Sequence, residues 1–365
     1  MPSRLVVAVG TKKGLFVFEG GANSKKLELR GPFFHGMPIN AAFIDCRTKS
    51  PRVWAVPSCP WFGTTIQVSK DLGQKFKPTK SAPAFTAEDG RTLKNVWSLG
   101  AGSHAKELLC GVEPAALFRS TDSGESWEKV SSISDHPHAR TWMPGAGGLC
   151  LHTILHHGGA LHLGISTGGH YASRDGMQTF EPENTGVGAA FQPVRNPEYG
   201  QCVHKIAAHP DKPERLYMMN HGGFEEDPTL GVLRSDDGGK SWTSIAKGLP
   251  SDFGFPIVVH PHDPDTVYVM PLAPNTRTCP EGNPAIWRST SAGAKWEKLN
   301  KGLPKKDAYF TVLRDGMDVD NGKKPSVWFG TTTGQLWRGR EGGDEFECVA
   351  SALPPIHCVK VAVVD

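Results

Sequence analysis

The sequence predicts an all-β fold, a seven-bladed β-propeller with four-stranded antiparallel blades, closed by the C-terminal strand pairing into blade 1. Three observations carry this expectation. A tight polar turn recurs at near-constant spacing, an apolar strand is left without a partner at the C-terminus, and glycine (42) and proline (29) are dispersed through the 365 residues rather than gathered into a linker. Dispersed turn formers mark many short strands.

The turn is clearest where Ser120, Asp122, Gly124 and Trp127 follow the apolar Leu117-Phe118. The same offsets recur in Ser235, Asp237, Gly239 and Trp242, in Ser69, Asp71, Gly73 and Phe76, and, with serine replacing aspartate, in Ser289, Ser291, Gly293 and Trp296. In Ser173, Asp175 and Phe180 the glycine, Gly176, comes one place early. The residue types have a mechanical reading. The carboxylate accepts hydrogen bonds from turn amides, glycine takes positive φ, and the aromatic opens the next strand and packs between layers.

The turn serines at 69, 120, 173, 235 and 289 are 51, 53, 62 and 54 residues apart, the length of one four-stranded blade with its loops. The period extends forward to Leu336–Phe346, which has lost the serine and aspartate, and backward to the hairpin Val7–Phe18, giving seven units. The expected blades run approximately over 36–80, 92–131, 148–184, 201–247, 254–300 and 307–353, with blade 1 built from 1–35 plus 356–365. The tail from His357 onward supplies the inner strand that the first hairpin lacks, which removes exposed sheet edges and makes one domain of the chain, 1–365.

This turn resembles the Asp-box, or BNR repeat, of sialidases, sortilin-type receptors and photosystem II assembly factors, and the chain looks similar to bacterial BNR-repeat proteins of glycosyl hydrolase type. The resemblance covers nearly the whole chain. It implies the propeller fold and a place for each box between the third and fourth strand of a blade, and it implies little about activity, because the same box serves enzymes and receptors. Sialidases carry six blades, an Arg-Ile-Pro motif, an arginine triad and a Tyr/Glu nucleophile pair. Here Arg-Ile-Pro is missing, and Arg140, Arg195, Arg277 and Arg314 or the pair Tyr309 and Glu113 match that pattern only by assumption, so sialidase activity is not expected.

Composition excludes some partners. Forty basic and 37 acidic residues leave a formal charge of +3 without long runs of one sign, so neither a nucleic-acid nor an anionic membrane surface is expected. The apolar stretch near the N-terminus is too short for a signal-peptide core or a membrane span, and the expected location is cytoplasmic. The eight cysteines form no C-x-x-C pair and read as reduced, mostly buried thiols.

Aligning the inner strands by their apolar cores places one residue of each blade at the channel mouth: His357, Asn40, Asn95, His152, His204, Phe255 and Tyr309. Turns facing the same mouth add His170, Asn220 and His221. The loop entering blade 4 carries Arg140 and Trp142, the loop entering blade 5 carries Glu198 and Tyr199, and the acidic turn 224–227 contains Glu225. Lys205 follows His204, and Glu113 ends a second strand. The aspartates of the recurring turn are read as scaffold.

Three chemistries compete for this face. A divalent metal ion could be held by His152, His204 and His221, whose neutral imidazoles are nitrogen ligands. A glycoside hydrolase or lyase would use Glu113 with Glu198 or Glu225 as an acid/base pair, with His152, His204, Lys205 and Tyr309 as further catalytic candidates and aromatic rings stacking on sugar. In the bland reading the histidines are channel residues bridged by water. The expected ligand is a small molecule or carbohydrate bound by Asn40, Asn95, Arg140, Trp142, His170, Glu198, Tyr199, Asn220, His221 and His357; a non-catalytic module that holds a protein partner is the alternative.

Overall fold

The computed structural model describes residues 3–22, 24–59, 61–223 and 227–364. Among these residues seven antiparallel sheets form, each running outward from an inner strand. The inner strands are Ile356–Val364, Ile39–Asp45, Asn95–Ala101, Leu151–His157, Val203–Ala208, Gly254–Val259 and Met317–Val319, for blades 1 to 7 in turn. Each touches the next, and the last touches the first, so the sheets close into a ring around a central channel. Blade 2 alone gains a fifth short strand, Gly63–Thr64, against Arg52–Cys59.

Ring closure follows the sequence expectation. Ile356–Val364 pairs antiparallel with Arg4–Thr11, from Arg4 opposite Val364 to Thr11 opposite Ile356. Blades stack face to face, so their central strands are apolar on both sides; Leu5, Val6, Val7, Ala8 and Val9 are all fully buried. The hydrophobic core is accordingly divided into seven clusters, one between each pair of neighbouring blades. Blades 7 and 1, for example, meet through Leu5, Val7, Val9, Trp328 and Leu336.

The recurring turns are built as their residue types require. The hydroxyls of Ser69, Ser120, Ser173 and Ser235 donate to Asp71, Asp122, Asp175 and Asp237 at 2.6 to 2.9 Å. The amides of Gly73, Gly124, Gly239 and Gly293 donate back to the serine oxygen at 2.8 to 2.9 Å, with φ between 84 and 90°. In blade 4, where glycine is displaced by one residue, Met177 takes the left-handed conformation (φ 73°) and its amide makes the equivalent bond to Ser173 Oγ at 2.9 Å. The turn tryptophans tie blades together: Trp242 Nε1 donates to the Glu183 carbonyl of blade 4 and Trp296 Nε1 to the Ile245 carbonyl of blade 5.

Candidate functional site

Six inner strands carry a β-bulge near their first residues, and the bulged residues gather at one end of the channel. The extra residue is His357 in blade 1, Asn40 in blade 2, Trp97 in blade 3, His152 in blade 4, His204 in blade 5 and the Phe255–Pro256 pair in blade 6. A bulge leaves a residue out of the ladder and re-aims its side chain. His357, Asn40, Trp97, His152, His204 and Phe255 all line one cavity of about 380 Å³ at the mouth, which Phe191, Cys202, His221, Phe253, Arg277 and Arg314 complete. In blade 7, Leu313, Arg314 and Asp315 take the corresponding place ahead of the short inner strand.

On the blade 5 side, Cys202, His204 and His221 present ligand atoms within 4.8 Å of one another. The Gly254 carbonyl lies 2.6 Å from His204 Nδ1 and can only accept, so Nδ1 carries the proton and Nε2 the lone pair. His152 touches Thr153 Oγ1 through Nδ1, while its buried Nε2 has no partner among the described residues. Burial first, then the charge of Arg314, holds both imidazoles well below the ordinary histidine range. Burial and the cations Arg277 and Arg314 lower His221 to about 4. The imidazoles are neutral at pH 7.

The cavity's charge comes from arginine. Neither Arg277 nor Arg314 pairs with a carboxylate among the described residues. The Arg314 guanidinium lies 6.0 Å from the Trp97 ring centroid and 5.5 Å from that of Phe255, with its Nε buried and unpartnered. Arg277 adopts φ 57°, a left-handed conformation uncommon for a non-glycine residue, in the blade 6 insertion. Below the mouth, Asp315 accepts from Lys205 at 2.5 Å and Lys360 at 2.7 Å. Burial opposes ionisation of Asp315, yet the two ammonium groups hold it far below the usual carboxylate range. Lys205 therefore belongs to an ion cluster in the channel, lining a second cavity of about 290 Å³ that shares Asn40, Trp97, His152 and Asp315 with the first.

Several expected positions lie elsewhere. Asn95 is not the mouth residue of blade 3; the bulge puts Trp97 there, and Asn95 supports the wall by accepting from Asn40 at 3.0 Å. Tyr309 is 60% exposed and lines neither cavity, because Ala308 and Phe310 bond to Gly282 and Cys279 of the blade 6 insertion and the inner strand starts later, at Met317. His170 is fully buried between blades 4 and 5: it lies in a strand, pairs with His162 at 3.0 Å and packs on the ring of Trp242. Asn220 is buried and donates to the Gly188 and Leu230 carbonyls. Trp142, Glu198 and Tyr199 line a neighbouring depression that meets the mouth cavity at Thr167, and Arg140 is exposed on a short 3₁₀ turn. Glu225 lies outside the described residues. Glu113 does not line the cavity; it accepts from Trp97 Nε1 at 3.0 Å beneath Gly148. The proposed pair Glu113 with Glu198 is thus not assembled in one cavity, and Asp315 is the single carboxylate among the cavity's described lining residues.

Residues missed by sequence reasoning are Trp97, Phe191, Cys202, Phe253 and the mouth roles of Arg314 and Asp315. Cys202 did carry a signal. It stands two residues before His204, a spacing that puts neighbouring side chains on one side of an extended chain.

The fold and site together define a seven-bladed β-propeller with a histidine- and arginine-lined cavity at one channel mouth. No protein-family model matches the chain, and no curated protein matches it in sequence. Solved structures do match in fold. A GH74 xyloglucanase from Xanthomonas campestris is 17% identical with a TM-score of 0.63, covering 98% of this chain and 52% of that one. Apo AztD from Citrobacter koseri is 9% identical with a TM-score of 0.57, covering 100% and 98%. YCF48 bound to D1 peptide is 14% identical with a TM-score of 0.50, covering 92% and 85%. The chain spans about half the length of the xyloglucanase, and at these identities the likeness establishes the fold alone.

Proposed function

We propose that the mouth cavity binds a small organic anion with an apolar or ring-shaped face. The carrying observation is two guanidinium groups, Arg277 and Arg314, facing an aromatic-walled cavity whose one described carboxylate is already neutralised by two lysines. An anion supplies the missing counter-charge, arginine offers it paired donors, and Trp97, Phe191, Phe253 and Phe255 offer stacking surface. The volume falls in the roughly 300–1,000 Å³ range of small-molecule sites. A sugar acid satisfies these terms and keeps a carbohydrate ligand within the reading. Two-carboxylate glycoside hydrolysis is not supported, since acid and base must flank one bond, about 5 to 10 Å apart.

A second reading has its own observation. Trp61 and Phe62 are 89% and 79% exposed on the turn between the second and third strands of blade 2, and Met143, Val194 and Tyr309 are exposed on loops that open on the same face. Exposed apolar side chains of this size fit a protein or polymer partner laid across the mouth.

The small-anion reading is tested by calorimetric titration with charge-matched pairs, glucuronate against glucose and benzoate against benzyl alcohol. The charged member of at least one pair should bind more than tenfold tighter, and its affinity should fall with added salt. Equal binding of charged and neutral members, or no binding of either charged probe, would contradict it.

A further inference from the structure

We propose that Cys202, His204 and His221 form a zinc-class metal site with three protein ligands and one position open to the mouth cavity. The inference deepens the small-anion reading by naming what could meet the anion, and rests on that reading only for the occupant of the open position. The donor set is the first argument. A thiol and two imidazoles within 4.8 Å of one another suit borderline-to-soft d-block ions and not magnesium or calcium, which take oxygen ligands.

Orientation is the second argument. The Gly254 carbonyl fixes the His204 tautomer with Nε2 free to bind, the support that metal-ligating histidines ordinarily have. The bulge at His204 turns that ring out of the strand ladder, and Ser166 Oγ lies 3.6 Å from Cys202 Sγ, where it can donate to a thiolate. The third argument is the neighbour on blade 4. His152 is 1% exposed, lines the same cavity, and holds a buried Nε2 with no hydrogen-bond partner among the described residues. A water or anion oxygen in the open position would satisfy it. Binding would release the Cys202 proton to solvent and leave Zn²⁺ with one thiolate, a net positive centre beside Arg314 and Arg277.

The test uses the full chain, stripped with a chelator and titrated separately with Zn²⁺ and Co²⁺. One equivalent should bind, and the Co²⁺ form should show a sulfur-to-cobalt charge-transfer band in the near ultraviolet. Cys202→Ser should abolish that band, and His221→Gln should weaken Zn²⁺ at least tenfold, with the apo variants melting like the parent. Failure of the parent chain to take up one equivalent overturns the site, whether or not a variant folds; so do unchanged spectra and affinities in both variants. Arg314→Met should keep the metal stoichiometry. Zinc uptake without glucuronate or benzoate binding would sink the small-anion reading alone, whereas anion binding without zinc uptake would sink the metal site alone.

Discussion

Among the described residues two clusters contain three metal-competent donors within 4.8 Å, His162–His170–Glu183 and Cys202–His204–His221, and their difference shows what separates scaffold from site. The first is closed. His162 Nδ1 bonds His170 Nε2, His170 Nδ1 bonds the Glu183 carbonyl, and the Glu183 carboxylate pairs with Arg174. The serine–aspartate–glycine turn of blade 5 seals it, with Gly239 against both rings and Trp242 edge-on to His170. The second cluster borders a cavity. The Gly254 carbonyl orients His204 from behind, and all three side chains line the open cavity. Residue types alone do not separate the two; only the location of the remaining hydrogen-bond partners does.

The sharpest way to break this contrast is to remove one histidine from each. His170→Ala should cost roughly 3 kcal/mol, because it opens a void and strands His162 and the Glu183 carbonyl, and it should leave ligand binding at the mouth unchanged. His221→Gln should do the reverse, losing metal while its melting temperature stays near the parent's. Chemical denaturation and titration of both variants check the pair; a destabilised, metal-competent His221→Gln would merge the two classes.

Acid titration sharpens the same point. Burial, the largest influence, lowers His170 to about 4 and, together with the neighbouring His170, lowers His162 to about 2. Both values lie below the roughly 6.5 of an unfolded histidine, so the unfolded chain takes up protons first as pH falls. The stability these groups confer is present above about pH 6.5 and drains away toward pH 4, by roughly 3 kcal/mol for His170 alone. Urea denaturation at pH 7.5 and 5 should show that fall, with a slope shallower by about one proton in His170→Ala; equal slopes would contradict the assignment. Ser235→Ala should cost about 1 to 2 kcal/mol, because the buried hydroxyl serves Gly239 and Asp237 at once. The smallest effect belongs to Tyr309→Ala, where stability should shift by less than about 0.5 kcal/mol and small-ligand affinity should hold. A tenfold loss of glucuronate affinity would return Tyr309 to the site.

How much of this was legible in the sequence follows from the same contrast. The turns write their own chemistry locally, so Ser120, Asp122, Gly124 and Trp127 announced blade and period, and the unpaired apolar tail announced closure. The mouth was legible where each inner strand keeps a common register: His357, Asn40, His152, His204 and Phe255 were placed by alignment. It failed at Asn95, where the bulge shared by these strands falls two residues later, at Trp97, and at Tyr309, where an insertion from blade 6 captures the apolar run. Bulge and insertion pairing depend on the partner strand and leave no local mark. His170 misled because a Gly-Gly-His hairpin turn reads alike whether its last residue faces solvent or begins a buried strand.

Recognition of the ligand at the mouth by Arg277 and Arg314, which pair with no carboxylate among the described residues, is checked most directly by titrating glucuronate or benzoate into the parent chain and into Arg277→Met/Arg314→Met. The double variant should lose more than tenfold in affinity with an unchanged melting temperature and an unchanged zinc stoichiometry. Full retention of affinity in that variant would contradict it.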